Sequence, residues 1–368
     1  MSNKILLIGN SGLKHHGVDG QTAKVRLYLK KVQDEGFEAE FVDLEGFLKH
    51  PLSVLHRIKR GIIECNRIVL ISAKRGCKYL IPFINKWNKK FHKKFILPLV
   101  GTSVLHYSID KLTNEQKEDF ISNGNYELCL VDSRTKKQLE KIDFILPETD
   151  LVTNVFKGYY NLENVYTLNN FRDLTEKSVI KDDKTNSLNL VFLSRVMGEK
   201  GIFDLMDVVN NLSKKYPITL DIYGHSCLNK EEKALFNKYL NDTIKYCGIV
   251  DFNRVVHTIS KYDLFVFPTR FVGEGTPGVI AESFIAGIPV LTSNFPQAKY
   301  LMNNGENSIF YKMFDKEDLR SKLLYVIENK NILAKLHEGA KASGKKYLYE
   351  AERNKFLKYV CGVDIDNN

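Results

Sequence analysis

The chain has 368 residues, 43% of them hydrophobic and 27% charged, with a formal net charge of +10. That length suits about two domains of roughly 150 residues each, and the apolar fraction is enough for two full cores. No run of about 18 apolar residues occurs, which excludes a membrane-spanning helix, while the positive charge admits nucleic acid, an anionic membrane or phosphorylated ligands without choosing among them.

The opening KILLIG reads as a first strand, not as the basic, apolar and small-residue layout of a signal peptide. The expected location is the cytoplasm, with a possible peripheral place on the inner face of the membrane. The loop GNSGLKHHGVDGQTAK joins this strand to a first helix, GQTAKVRLYLKKVQDEG. It is neither G-x-G-x-x-G nor a P-loop, since no G-K-[ST] follows. Further strands are expected at AEFVDL, RIVLIS, FILPLVG, ELCLVD, DFILPE and NVYTL. The stretch from Lys74 to Lys94 holds many cations and no acid, interleaved with Phe83, Ile84, Trp87 and Phe91. It reads as an amphipathic helix able to lie on an anionic membrane, or equally as a solvated basic helix whose aromatics face the core. PLVGTSVLHYS ends another strand, where Gly101 to Ser103 could line a cleft and Asp110 reads as a local cap. The six cysteines are scattered, with no C-x-x-C spacing. Reduced thiols and no structural metal are the simplest reading.

The polar stretch Asn169 to Asn189 interrupts the pattern. Alternation then restarts with strands at LVFLSR, ITLDIYG, IKYCGIV, DLFVFPT, IPVLTS and SIFYK, and with helices between them. Such alternation argues for βαβ units with parallel sheets. The expected fold is α/β: two Rossmann-like, doubly wound domains facing a cleft, residues 1–175 and 190–345, joined by a linker over 176–189. A closing helix over 346–368 is expected to pack back toward the N-terminal domain. Ligands bind outside the carboxyl ends of such strands.

The stretch GEGTPGVIAES, Gly273 to Ser283, follows the strand DLFVFPT. Thr276 suits an N-cap and Pro277 the first helical position. The start of a helix favours an anion, notably phosphate, and Gly275 and Gly278 allow close approach to the backbone. Glu274 and Glu282 flank that end and can accept hydrogen bonds from hydroxyls on either side of a phosphate. Hydroxyls, phosphate and hydroxyls in that order describe a nucleotide-sugar. In FLSRVMGEKG, Arg195 and Lys200 stand at a strand's carboxyl end and could neutralise a diphosphate, Arg as a planar fork and Lys as a point charge.

With R-x4-K at Arg195 and Lys200 and E-x7-E at Glu274 and Glu282, the second half resembles the donor-binding domain of a glycosyltransferase of family 4, with the GT-B fold. KYDLFVFPTRF and GIPVLTSN fit the family in place and spacing. The resemblance covers nearly the whole chain and is strongest from Leu190 to Asn294. It implies retaining transfer of a hexose-type sugar from a UDP- or GDP-linked donor. Glu274 would bind donor-sugar hydroxyls and Glu282 the ribose. Backbone N–H groups around Gly275, Thr276, Pro277 and Gly278, with Arg195 and Lys200, would hold the diphosphate. The base would lie near YCGIV, with Val250 a weak contact. Gly17 and Gly20 resemble the family's first glycine loop, with Gln21 beside them. His106 matches a histidine that some relatives place against the donor sugar; a half-buried histidine at a helix start is the alternative. The family's acid after the last motif is replaced near Lys299, and a turn glycine by Ser308. No cofactor or metal is expected: the only D-x-D, Asp364 to Asp366, lies in the tail. The expected partners are a lipid-linked or oligosaccharide acceptor and an anionic membrane surface, in cell-surface polysaccharide synthesis. Nucleic acid is not expected, since no recognition module is visible. A soluble transferase acting on a small molecule or protein, and a catalytically silent nucleotide-sugar-binding partner subunit, remain the alternatives.

Overall fold

The computed structural model describes residues 3–13, 20–101, 113, 115–116, 119, 133–173 and 187–364. The described residues fall into two compact units. The first lies within Met1–Leu112, Asn125–Asn170 and Tyr349–Asn368, the second within Thr113–Gly124 and Phe171–Leu348.

In the first unit, five described strands run parallel: β1 (Lys4–Gly9), β2 (Glu38–Asp43), β3 (Arg67–Ile71), β4 (Lys94–Pro98) and β5 (Phe144–Leu146), in the order β2-β1-β3-β4-β5. Ile5 to Ile8 and Ile68 to Ile71 are buried at every position. Continuous apolar runs of this kind belong to parallel strands covered on both faces. The edge strand β2 is more open, and its Glu38 and Glu40 meet Lys4 at 3.2 and 3.1 Å. The helices are α1 (Gly20–Asp34), α2 (Pro51–Glu64), α3 (Lys74–Asn88), α4 (Ser133–Leu139) and α5 (Asp150–Tyr160). Pro51 opens α2, where its missing N–H is harmless. The closing helix Tyr349–Lys355 belongs to this unit, and its Arg353 donates to both oxygens of Glu35 at 2.7 and 2.6 Å. That contact holds the Glu35 carboxyl below its ordinary pKa.

One reading differs here. NVYTL is not a strand. Val165 makes a single bridge to Ile145, and the backbone continues beside β5 through Tyr166 N to Ile145 O and Leu168 N to Pro147 O, both 2.9 Å. ELCLVD lies outside the described residues.

The second unit holds six parallel strands: β6 (Leu188–Leu193), β7 (Ile218–Tyr223), β8 (Ile244–Gly248), β9 (Leu264–Phe267), β10 (Val290–Ser293) and β11 (Ser308–Tyr311), in the order β11-β10-β9-β6-β7-β8. Its helices are α6 (Ile202–Leu212), α7 (Lys230–Tyr239), α8 (Val255–Ile259), α9 (Gly278–Ile285), α10 (Ala298–Leu301), α11 (Lys316–Glu328) and α12 (Lys330–Gly344). Leu190, Phe192, Leu205, Leu220, Ile222, Leu264, Val266 and Leu291 form its fully buried centre. Two helix starts are written locally. Asn229 and Glu232 make a capping box on α7, and Asp315 accepts from Asp318 N at 2.9 Å on α11. β6 begins at Leu188, inside the stretch read as linker, because Leu188 and Asn189 pair with Ile218 and Thr219.

The strand order dictates where a ligand can sit. From β6 the chain moves through β7 and β8 in one direction, then returns to place β9, β10 and β11 on the other side. The order therefore reverses between β6 and β9, and the loops leaving those two strands diverge to form a crevice.

Candidate functional site

The loop after β6 carries Arg195, Lys200 and Gly201; the loop after β9 carries Thr269 to Pro277. The two are joined directly. Arg270 N donates to Glu199 O at 2.8 Å. Gly201, at φ +71°, lies so close to the end of β9 that an added Cβ would fall 1.8 Å from Pro268 O. Both loops are thus held at the switch point of the sheet.

Lys200 and Glu274 form an ion pair across this junction. Lys200 is buried, with its ammonium 5.5 Å from the centre of the Phe267 ring and 5.7 Å from that of Phe271. Glu274 Oε2 also accepts from Thr269 Oγ1 at 2.8 Å. Thr269 is itself fully buried, and its carbonyl accepts from Ser293 Oγ at 2.6 Å on β10. The carboxylate is therefore fixed from two sides, by a cation and by a hydroxyl that the sheet holds in place.

Glu282 lies in α9, four residues after Gly278, so the two share one helix face. Its Oε1 accepts from Arg172 Nε at 2.7 Å, and both side chains are 9% exposed. The same guanidinium covers the start of the helix: a Cβ on Gly278 would lie 1.6 Å from Arg172 Nη2. Gly278 thus admits a side chain of its own unit. Helix α9 begins at Gly278 with Pro277 as its N-cap residue and no side-chain cap. The expected Thr276 cap and Pro277 first position are therefore shifted by one. Pro277 ψ is 120°, outside the helical range, so the chain turns into the helix only after it. Gly275, Thr276 and Pro277 form the half-buried approach to that end.

Arg195 differs from Lys200. It is exposed and pairs with no carboxylate among the described residues. Its backbone is pinned nonetheless, since Val196 N donates to His225 O and Cys227 N to Val196 O, each at 2.9 Å. Val250 is half-buried in the loop after β8, next to Ile249, which is 69% exposed. In the first unit, Gly20 is the first residue of α1 and Gln21 follows it there. Gly17, His15, His16, His106 and Asp110 lie outside the described residues.

The basic stretch is helical only over Lys74–Asn88. Leu80, Ile81 and Ile84 are buried in the core, and Trp87 is half-buried beneath Lys59, whose ammonium sits 4.0 Å from the ring centre. The apolar face of this helix is consumed by the fold. Its outer face is cationic, with Lys74, Arg75, Lys78 and Lys86 exposed and Lys89 and Lys90 exposed just after it, whereas Lys94 pairs with Asp143 at 2.7 Å.

Three groups escaped the sequence reading. Arg172 stood in a polar stretch without periodicity. Thr269 ends DLFVFPT, two residues past β9, and could have been flagged by that position. Lys24 and Glu148 form a buried pair at 2.7 Å; Lys24 also donates to Leu99 O at 2.6 Å, and Glu148 accepts from Gly101 N at 3.2 Å. This second pair lies at the carboxyl ends of β4 and β5, where sequence gives no hint that residues 24 and 148 meet.

Residues 173–343 match the family model described as Glycosyl transferases group 1. The chain is similar to an uncharacterized glycosyltransferase of Methanocaldococcus jannaschii, at 23% identity over 211 residues, covering 55% of this chain and 54% of that protein. A second uncharacterized glycosyltransferase of the same organism is 23% identical over 160 residues, covering 44% of each chain. The chain thus spans about half the length of the curated relatives it matches. Among solved structures, Anabaena HepE in complex with UDP and glucose aligns with a TM-score of 0.70 at 13% identity, covering 98% of this chain and 100% of that one. The sucrose-phosphate synthase of Thermosynechococcus elongatus aligns with a TM-score of 0.71 at 12% identity, covering 96% and 97%. The fold is therefore two parallel-sheet, Rossmann-like α/β domains of the GT-B type. No helix among the described residues is long and apolar enough to cross a membrane.

Proposed function

We propose that this chain is a retaining glycosyltransferase of family 4 that binds a nucleotide-sugar at the β6–β9 switch point of the second unit. The observation that carries the reading is the pair of carboxylates, Glu274 and Glu282, flanking the start of α9, each already matched to a cation. Glu274 receives donor-sugar hydroxyls. Glu282 receives those of the ribose. The diphosphate lies between them, on the N–H groups entering α9 and the charges of Lys200 and Arg195. A phosphate near Lys200 competes for the ammonium that Glu274 now holds, freeing carboxylate oxygen for the sugar. The bond between the anomeric carbon and the diphosphate breaks as the acceptor oxygen bonds to the same face of that carbon. The departing diphosphate oxygen takes the acceptor's proton. The chain then supplies positioning and charge stabilisation, with protein cations rather than a divalent metal or cofactor neutralising the leaving group.

Calorimetric titration of the purified chain with UDP, GDP and their hexose conjugates, without added metal, tests the donor site. One nucleotide is expected to bind, with UDP the first to try because Anabaena HepE is solved with it. Glu282→Ala should weaken that binding about 10-fold or more, by loss of hydrogen bonds to a charged acceptor. Binding with no sugar transfer to any acceptor would favour a silent partner subunit; equal binding by parent and variant would remove Glu282 from the site.

The acceptor is proposed to be a lipid-linked glycan, met at the inner surface of the cell membrane in cell-surface polysaccharide synthesis. Support comes from the acid-free row of exposed cations on α3 and just after it. Because the apolar side of α3 is buried, contact with lipid would be electrostatic, at about 1 kcal/mol per lysine near an anionic surface. Exchanging Lys78, Lys86, Lys89 and Lys90 for Gln should release the chain from phosphatidylglycerol-rich vesicles in a sedimentation assay. Unchanged sedimentation would leave a soluble transferase as the better reading.

A further inference from the structure

The ion pair between Arg172 and Glu282 lies outside the E-x7-E and R-x4-K motifs, yet it fixes one of their carboxylates. We propose that Arg172 is a positioning residue of the donor site: it holds the Glu282 carboxylate correctly turned to accept the donor's ribose hydroxyls. This rests on the donor reading given above.

The side chain is placed from several directions. Its Nε donates to Glu282 Oε1 at 2.7 Å and its Nη1 to Phe171 O at 2.9 Å. Its backbone N donates to Tyr347 O at 2.7 Å, and it bridges to Leu348. Residues 171 and 348 begin and end the longer segment of the second unit, so Arg172 ties the two ends of that segment together. A guanidinium restrained in this way leaves the carboxylate it binds little rotamer freedom.

Its position is costly for the helix alone. The start of α9 carries the positive end of the helix dipole, where a cation is unfavourable and an anion favourable. Arg172 nevertheless covers that end, and Gly278 keeps the space for it. A stability role does not require the pair, because buried ion pairs are commonly matched by apolar residues of similar volume. The arrangement makes chemical sense when the same end also meets a phosphorylated, hydroxyl-bearing ligand. Arg172 then acts on that ligand by setting Glu282.

The test compares Arg172→Ala, Arg172→Lys, Glu282→Ala and the double variant Arg172→Ala/Glu282→Ala by calorimetry with the nucleoside diphosphate, UDP or GDP, that the parent binds. Arg172→Ala should weaken binding roughly 10–100-fold, with Arg172→Lys recovering much of the loss. The double variant should bind no more weakly than Glu282→Ala alone, because both changes remove one functional unit. In donor turnover, the loss should fall on the donor KM, with kcat kept within about threefold, as expected for uniform binding. If Arg172→Ala fails to fold, Arg172→Lys and Gly278→Ala carry the comparison, since the latter displaces the guanidinium while leaving both partners in the sequence. Parental affinity in a folded Arg172→Ala, or losses that multiply in the double variant, would overturn the inference while leaving the donor reading intact. Parental affinity in Glu282→Ala, or no binding by the parent, would overturn both.

Discussion

Glu274→Ala is expected to lower kcat on the order of 10²–10³-fold, the cost of removing one preorganised polar contact from a reacting centre, and to destabilise the second unit as well. The two losses have separate causes. Lys200 is buried with Glu274 as its ion-pair partner, and removing one member of such a pair leaves an uncompensated charge that costs about 3–5 kcal/mol. The double variant Lys200→Met/Glu274→Gln separates them. It removes the buried charge, keeps the carboxamide within reach of Thr269 Oγ1, and should recover most of the melting temperature. It should not recover transfer, because it has neither the carboxylate for the sugar nor the ammonium for the phosphate. The assay is release of nucleoside diphosphate from the donor, alongside a thermal melt. If folded Glu274→Ala kept more than about a tenth of parental turnover, against the loss expected for a preorganised contact, Glu274 would not contact the sugar. If the double variant were fully active, the pair would be structural only.

Much of the fold was legible because parallel strands announce themselves. Runs such as KILLIG, RIVLI and LFVF are apolar at consecutive positions since both faces of each strand are covered. The restart of that pattern after a polar stretch gives two units, and strand-then-helix alternation gives their parallel sheets. NVYTL misled for a physical reason. Val165 and Leu168 are buried as strand residues would be, but the segment lies alongside β5 with a single bridge. Burial and β-propensity were right, and only the ladder is missing. The N-cap shift at α9 is of the same kind: Thr276-Pro277 suits a helix start, and the turn itself decides which residue adopts the first helical angles.

The candidate site was half legible. Glu274, Glu282 and Lys200 could be named because each sits at a recognisable spacing from a strand end. Their partners could not. Arg172 meets Glu282 across 110 positions, and Lys24 meets Glu148 across 124. Such pairs are set by which strand ends the topology brings together, and single-sequence periodicity carries no such information. The same limit separated Arg195 from Lys200. Both are cations after one strand, yet one is exposed and the other is buried against Phe267. That difference follows from Gly201, whose close approach to Pro268 draws the backbone next to Lys200 against the end of β9.

Two glycine-to-alanine exchanges should therefore behave differently, and Gly201→Ala should be the more destabilising of the two. At φ +71° an alanine is strained, by roughly 1–2 kcal/mol. Its Cβ would also fall 1.8 Å from Pro268 O, and a backbone atom at the end of a central strand cannot step aside without moving the sheet. Together these should cost about 3 kcal/mol or more, which for a domain of this size lowers the melting temperature by roughly 6–12 °C. At Gly278 the obstructing atom is Arg172 Nη2, 1.6 Å from the added Cβ, and it is the far end of a side chain that can swing away. Gly278→Ala should lose less melting temperature than Gly201→Ala, because the displaced guanidinium stays near the carboxylate, and should lose nucleotide affinity, because the guanidinium gives up its hydrogen bond to Glu282 as it moves. Differential scanning calorimetry of both variants, paired with titration of the nucleoside diphosphate that binds the parent, reads the two effects side by side. A melting temperature for Gly201→Ala within about 2 °C of the parent, far less than the shift a strained core position gives, would mean that the β6 and β9 loops are not locked at that contact. Parental affinity in Gly278→Ala would mean that the space before α9 is not reserved for Arg172.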